Sequence, residues 1–453
     1  MSITAYKVTI PEKAIDVVEA GSRPRRGRAA FDLGRDLTFA TDGLESYAFA
    51  RWEPIIHDAM VVAAAIEYAD RTVRRPSRGW ARRLTLQIPV HEPARWRDAA
   101  VMTTLLDAAG FLTGDFWSIA FVERTTPAQP RPQGYLELPG HTDTVMAYSD
   151  GMDSRAVAGL VAQQCGDRLV RVRVGNKAGG RPRKGQPEPF AAVPYAVAAT
   201  GETSARSRGF KFALISGIAA YLGGAKEILI PESGQGAFGP ALVTVAHAYA
   251  DYRNHPLFTA RMARFLNALL GTNLRFSFPR LWYTKGETLR AFAALPGGDA
   301  WRGTKSCWRN SRWSALNGKL VQCGVCAACM LRRMSVHAAG LTEEAGTYVC
   351  ADLAAASLAD AIDPAFTRRS TAFDEYAIAG ALHLDHLADM AAPEARSVVR
   401  RHGGLTAAAL GMAADDAAAN LAGVLARHAG EWRRFLDDLG QHSFIRQWTR
   451  NAA

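Results

Sequence analysis

The sequence predicts an α/β protein: a parallel sheet core, a mixed α+β domain ahead of it and a helical extension behind it. Three observations carry this. The 453 residues are about three times a usual single-domain length, so two or three domains are expected. From about residue 141, short β-branched runs alternate with helical patterns, the rhythm of βαβ units. From about residue 351 the chain becomes alanine-rich, with helical periodicity and no strand pattern. A hydrophobic fraction of 48% with 21% charged residues argues against a disordered chain. Six cysteines are too few for a disulfide-stapled secreted scaffold. The formal charge of +11 points to an anionic partner, whether nucleic acid, nucleotide or an acidic protein surface.

The expected elements follow in order. Residues 1–140 form the α+β domain, with a helix over Leu44–Asp70, a strand over Arg82–Pro89, a helix over Trp96–Ala108 and a strand over Phe116–Val122. Arginines crowd Arg23–Arg28 and Arg71–Arg83, and Thr125–Gly134 reads as a linker or long loop. Residues 141–345 alternate: strand Thr144–Tyr148, helix Ser154–Cys165, strand Leu169–Val174, a basic loop Lys177–Pro189, and a strand-like Ala191–Val197. Then come helix Phe210–Tyr221, closed by Gly223 and Gly224, strand Glu227–Ile230 and helix Leu257–Leu270. Residues 346–453 form the helical extension. The N-terminus lacks the pattern of a signal peptide, and the apolar runs Ala59–Ile66 and Phe212–Ala225 are too short to span a bilayer. A cytoplasmic protein with reduced thiols and no membrane association is expected.

The most informative stretch is Tyr148-Ser149-Asp150-Gly151-Met152-Asp153-Ser154, between the first parallel strand and its helix. Open α/β sheets bind ligands at such a position. Hydroxyls, a glycine and a helix N-terminus there either cradle a phosphate, through Ser149, Gly151 and Ser154, or simply form a capped turn. Asp153 beside a phosphate needs a cation such as Mg²⁺ between them.

Cys307, Cys323, Cys326 and Cys329 form a C-x15-C-x2-C-x2-C array. Four thiolates suit tetrahedral Zn²⁺; an iron–sulfur cluster is the second choice. Arg332 and Arg333 would offset the negative charge of such a site. Cys165 and Cys350 stand apart as ordinary thiols, and His337 reads as structural rather than as a ligand.

The loop Ser149–Ser154 resembles the Ser-Gly-Gly-x-Asp-Ser loop of the PP-loop ATP pyrophosphatase superfamily, with Asp150 in place of the first glycine. Thr304, Cys307, Cys323, Gly324, Cys326, Cys329 and Arg332 are similar to the zinc segment of its QueC family. Pro279, Lys285, Glu287 and Thr288 look like that family's P-L-x-x-x-x-K-x-E-T segment, with Arg280 at the leucine position. Ser204–Phe210 resembles its A-R-N-x-x-F helix start, with Ser207 for Asn. The four motifs occur in the family's order over about Thr144–Gly340. The extensions look like those of QueC-like proteins of the Qat and type IV CBASS anti-phage defence systems.

The resemblance implies a HUP-type (adenine nucleotide alpha hydrolase-like) fold that binds ATP, Mg²⁺ and Zn²⁺. It implies adenylation of the carboxylate of 7-carboxy-7-deazaguanine, followed by amide or nitrile formation. The loop Ser149, Asp150, Gly151, Met152, Asp153 and Ser154 would hold ATP. Asp153, Lys285 and Arg206 are the expected catalytic residues, and Arg208, Lys211, Glu232, Glu287 and His255 the expected substrate contacts. Each has a plainer reading: Arg206, Arg208 and Lys211 as a solvated basic face, Lys285 and Glu287 as a surface charge pair, His255 as a capping or core histidine. Glu287 either reads guanine-like donors or braces its helix. The GxGxxG at Gly234–Gly239 is expected as a substrate-covering loop rather than a dinucleotide fingerprint. The added domains suggest that the amine acceptor belongs to a partner protein of the same defence system. A zinc-containing nucleic-acid-binding protein is the competing and less favoured reading.

Overall fold

The computed structural model describes residues 10–41, 53–127, 142–175, 190–244, 248–308 and 314–450. These fall into two compact units, neither of them a continuous stretch of chain. The first takes the residues up to Tyr148 together with Cys165–Ile230 and Asp251–Ser277; the second takes Ser149–Gln164, Pro231–Ala250 and the chain from Phe278 onward.

The first unit holds two parallel sheets. Strands β1 (Glu12–Val18), β2 (Ala29–Asp32), β4 (Arg83–Val90) and β5 (Phe116–Glu123) run in the order β2-β1-β4-β5, every neighbouring pair parallel. The part expected as α+β is therefore α/β in character. Short β3 (Leu37–Phe39) instead pairs antiparallel with β9 (Tyr195–Val197). In β4, Leu84, Leu86 and Ile88 are fully buried, so the alternation seen in the sequence marks the core face. The helix Pro54–Thr72 starts on a proline, which the first helical position tolerates, and nearly all its apolar side chains are buried. Residues 44–52 of the expected longer helix lie outside the described residues, as do most of the expected Thr125–Gly134 linker and all of the basic loop. The expected helix Trp96–Ala108 is two pieces, Pro93–Trp96 and Ala99–Thr113; Asp98 between them accepts the Ala100 and Val101 N–H groups and caps the second.

The second sheet comprises β6 (Thr144–Ala147), β7 (Leu169–Val174), β8 (Phe190–Val193), β10 (Glu227–Leu229) and β11 (Arg275–Ser277), in the order β11-β10-β6-β7-β8. All its pairings are parallel. Pro194 divides the expected Ala191–Val197 strand, because proline cannot continue the ladder, and β9 goes to another sheet. β6 is central, with β7 on one side and β10 on the other, so the strand order reverses around it. That makes it the switch point of the sheet. Helices Arg208–Gly223 and Pro256–Leu270 share one apolar core with both sheets, including Phe210, Leu214, Phe265, Ile66 and Leu86.

The second unit is largely helical. After residue 351 the described chain forms helices at Leu358–Ala361, Thr371–Asp389, Arg396–Leu410, Ala414–Leu439 and Phe444–Arg450, and no strand. The expected loop at Gly234–Gly239 is instead part of a helix, Gly234–Leu242. Its glycines serve close packing. A Cβ on Gly234 would meet the Leu281 carbonyl at 2.4 Å, and one on Gly236 the Glu232 carboxylate at 2.0 Å. A helix running through all three glycines also removes the loop that a dinucleotide fingerprint requires. No helix among the described residues is long and apolar enough to cross a membrane.

Candidate functional site

The loop Ser149–Ser154 follows the central strand β6 directly in sequence and opens the helix Met152–Cys165. Met152 is buried among Leu289, Phe292, Trp301 and Val336, which pins the start of the helix. Ser149 Oγ lies 2.9 Å from Ser154 Oγ, and the Gly151 N–H donates to Ser149 Oγ at 3.1 Å. A Cβ on Gly151 would stand 3.0 Å from that hydroxyl, so the glycine leaves it room. The Asp150 carbonyl accepts the Lys305 N–H at 2.8 Å. The loop thus gathers two hydroxyls at a helix N-terminus, where backbone dipoles favour negative charge.

Asp153, in the first turn, forms an ion pair through Oδ2 with Lys285 Nζ. Its other oxygen, Oδ1, is buried and has no hydrogen-bond partner among the described residues. A buried carboxylate oxygen left unpaired is costly, and a cation satisfies it. Lys285 is only 7% exposed. Burial opposes its charge, but Asp153 and then Glu232 outweigh that, and the ammonium is held above the usual lysine range despite Arg332. Asp153 and Glu232 thus both act on Lys285 inside the second unit.

Lys285 is the first residue of the helix Lys285–Ala293, and its place is set by a capping box. Thr284 Oγ1 accepts the Glu287 N–H, while the Glu287 carboxylate accepts the Thr284 N–H at 2.7 Å. Glu287 also pairs with Arg427 at 3.0 Å. Its carboxylate is therefore engaged as a brace of the helix start. Three residues that sequence reasoning passed over support this turn. Gln235 Oε1 accepts the Lys285 N–H at 2.7 Å, and Gln235 Nε2 donates to His428 Nδ1 at 3.0 Å. Thr284 Oγ1 donates to Glu431 Oε1 at 2.5 Å. Their only trace in the sequence is a His and a Glu three apart on an amphipathic helix, which is common on surface helices.

The remaining expected residues belong to the first unit. The Arg206 and Ser207 N–H groups donate to Asp70 Oδ2 at 2.6 and 2.7 Å, and the Arg206 guanidinium stands 5.1 Å from the Trp80 ring centre. Arg208 is exposed, over Phe212. Lys211 is paired with Glu67 at 2.7 Å. Burial pulls its pKa down, and Glu67 works against that. His255 is fully buried and caps the helix Pro256–Leu270, its Nδ1 accepting the Leu257 N–H at 3.1 Å. Several arginines of the basic clusters are paired within the unit too. Arg82, fully buried, joins Asp70 at 2.5 Å and Asp115 at 2.7 Å, and Arg25 and Arg28 both pair with Asp16.

Cys307, Cys323, Cys326 and Cys329 bring their sulfurs within 4.8 Å of one another, three of them fully buried. The Cys323 and Cys329 sulfurs are 3.8 Å apart. Ligands about 2.3 Å from a tetrahedral centre lie about 3.8 Å from each other, so this spacing fits four thiolates around one ion. Backbone N–H groups of Cys323 and Cys326 point at the Cys307 and Cys323 sulfurs, at 3.3 and 3.4 Å, which stabilises thiolate charge. Arg332 is committed to Glu343 and Thr304, and His337 to Asp438. Elsewhere, His57, Asp58 and His91 also converge. There Arg124 lies 3.0 Å from His57 Nδ1, and Asp58 already accepts N–H groups from His91 and Glu92, so a cation would face a guanidinium and a saturated carboxylate.

No protein-family model matches this chain, and no curated protein matches it.

Proposed function

We propose that the chain is an ATP-dependent C–N ligase of the QueC-like, PP-loop type, acting in anti-phage defence. It would adenylate the carboxylate of 7-carboxy-7-deazaguanine and pass the acyl group to an amine of a partner protein. The observation that carries the reading is the pairing of Lys285, with Glu232 beside it, to Asp153 of a hydroxyl-lined loop that follows the central strand of a parallel sheet. The parallel pairing of every strand in the sheet β11-β10-β6-β7-β8 supports the α/β core that this reading needs. The four-cysteine group supports the QueC-like reading, with zinc as its structural ion and the cytoplasm as its compartment.

In this reading Ser149, Gly151 and Ser154 receive phosphate oxygens, and Lys285 supplies fixed positive charge where pyrophosphate departs. Asp153 Oδ1 would hold Mg²⁺, which neutralises phosphate charge when bound. A substrate carboxylate oxygen attacks the α-phosphorus, the bond to the β-phosphate breaks, and pyrophosphate leaves. The amine then attacks the acyl carbon; AMP departs with the carboxylate oxygen and the amine loses a proton. The test is incubation with ATP and 7-carboxy-7-deazaguanine, with and without candidate partners, read by AMP release and intact protein mass. AMP formation lost in Asp153→Ala is expected; equal AMP formation in that variant would refute the site. A free nitrile product with an unmodified partner would replace the ligase with a 7-cyano-7-deazaguanine synthase. Salt-dependent nucleic-acid binding without ATP consumption would favour the nucleic-acid reading instead.

A further inference from the structure

We propose that the helix Ala414–Leu439 of the C-terminal extension is a positioning element for Lys285, with Glu431 and His428 acting through Thr284 and Gln235. This rests on Lys285 serving the ATP-handling centre described above.

The argument starts from donors and acceptors. His428 is fully buried, and its Nε2 donates to the Leu384 carbonyl at 2.9 Å. Nδ1 is then an acceptor, and takes the Gln235 Nε2 donor at 3.0 Å. With its amide nitrogen so directed, Gln235 turns its oxygen to the Lys285 N–H, at 2.7 Å. The histidine tautomer, together with Glu431 Oε2, which accepts from the same amide nitrogen at 3.4 Å, thereby sets which way the amide faces. Glu431, 5% exposed, acts on the adjacent residue. Its Oε1 accepts a hydrogen bond from the Thr284 hydroxyl at 2.5 Å, which leaves a lone pair of that hydroxyl for the Glu287 N–H at 3.1 Å. Gly286 admits this approach: a Cβ there would meet Glu431 Oε1 at 3.1 Å and the Ala338 methyl at 2.9 Å. Arg427, on the same helix, donates to the Trp282 carbonyl at 2.6 Å and pairs with Glu287. One face of one helix thus reaches residues 282, 284 and 287 directly and the Lys285 N–H through Gln235. Freeing that turn would release the backbone from which the lysine reaches Asp153. A short surface tail needs none of this. The buried polar groups are costly unless they are all satisfied together.

The test uses the full chain with Glu431→Ala, Glu431→Gln, Thr284→Val and Thr284→Ser. Hydrogen–deuterium exchange of the unliganded protein reads the 284–288 amides directly. Zinc content and exchange over 323–334 report whether the rest of the unit is intact. Expected are at least tenfold faster exchange at 284–288 in Glu431→Ala and Thr284→Val, with the 323–334 segment unchanged. AMP formation should lose ten- to a hundredfold in kcat, with KM for ATP moving less than about threefold. Thr284→Ser should stay near wild type, and Glu431→Gln should fall between. Should Glu431→Ala fail to fold, the Thr284 pair decides alone, because it removes one hydroxyl and one methyl in turn. Unchanged exchange at 284–288, or faster exchange with wild-type kcat per zinc-loaded molecule, overturns the inference. A wild-type chain that makes no AMP overturns the adenylation reading instead, and the exchange measurements then decide whether the helix holds this turn.

Discussion

Removing one member of the Asp153–Lys285 pair separates what the pair does for folding from what it does for chemistry. The two side chains are 15% and 9% exposed, so the pair is nearly dry. Asp153→Ala leaves a buried ammonium with, among the described residues, Glu232 to offset it. Breaking a buried pair from one side typically costs about 3–5 kcal/mol. The remaining exposure and Glu232 put the expected cost for Asp153→Ala at the low end, about 3 kcal/mol. Lys285→Met leaves a carboxylate with more exposure and should cost somewhat less, about 2 kcal/mol. The double variant removes both charges and should cost about 2 kcal/mol rather than the roughly 5 kcal/mol of the two single variants added, a coupling of about 3 kcal/mol. Urea unfolding, followed by a probe of the second unit such as Trp301 fluorescence, measures all four corners of this cycle. AMP formation measured on the same four proteins should not recover in the double variant. A double variant that regains both stability and AMP formation would show the pair to be structural and remove the centre from the proposed mechanism.

Three further outcomes follow from the geometry. If the four cysteines hold zinc as proposed, the wild-type chain should carry one ion, and Cys329→Ser or a strong zinc chelator should remove it and lower the melting temperature by more than about 10 °C, because the cysteines are part of the apolar core with Met330, Phe373 and Trp432; elemental analysis with calorimetry checks it, and an unchanged melting temperature would mean that no structural ion sits there. Asp70→Ala should destabilise the first unit by about 3 kcal/mol, since it leaves the fully buried Arg82 with Asp115 as its remaining carboxylate and removes the acceptor of the Arg206 and Ser207 N–H groups; Asp70→Asn should cost less. Burial pushes both His383 and His428 down to about 4, so they stay neutral in the folded protein. The unfolded chain takes up their protons near pH 6.5 and the folded one does not. The second unit should therefore lose about 2.7 kcal/mol per pH unit as pH falls from about 6 toward 4. Glu431, whose carboxyl burial pushes up, works in the opposite sense at the acid end. Unfolding midpoints across that range test the sign.

How much was legible in the sequence varies with the range of the interaction. The Ser149–Ser154 loop, the capping box at Thr284 and the cysteine spacing are local, written within a few residues, and needed only chemistry to be seen. The alternation in Arg82–Pro89 likewise marked a strand and the βαβ rhythm after residue 141 a parallel sheet, whereas the parallel pairing of the N-terminal strands was not legible, because alternation does not state a strand's direction. The glycines at 234, 236 and 239 misled, because glycine's common use in loops hid its use where a Leu281 carbonyl and a Glu232 carboxylate approach a helix. Asp153 beside Lys285 is a meeting of residues 132 positions apart. Motif order brought both to notice, but only the fold set one against the other.

The sequence by itself determined the α/β class, the helical tail, the candidate loop and the four-thiol group, since each rests on short-range periodicity, spacing or side-chain chemistry. The tertiary structure alone decided which charges are satisfied within the fold. It gave Lys211 to Glu67, Glu287 to Arg427 and Arg82 to two aspartates, while Asp153 Oδ1 has no hydrogen-bond partner among the described residues. It also turned the +11 charge partly inward, and joined the C-terminal helix to the turn before Lys285. The physical reason is that burial and pairing depend on what the rest of the chain brings to a side chain, and a sequence states the side chain without its neighbours.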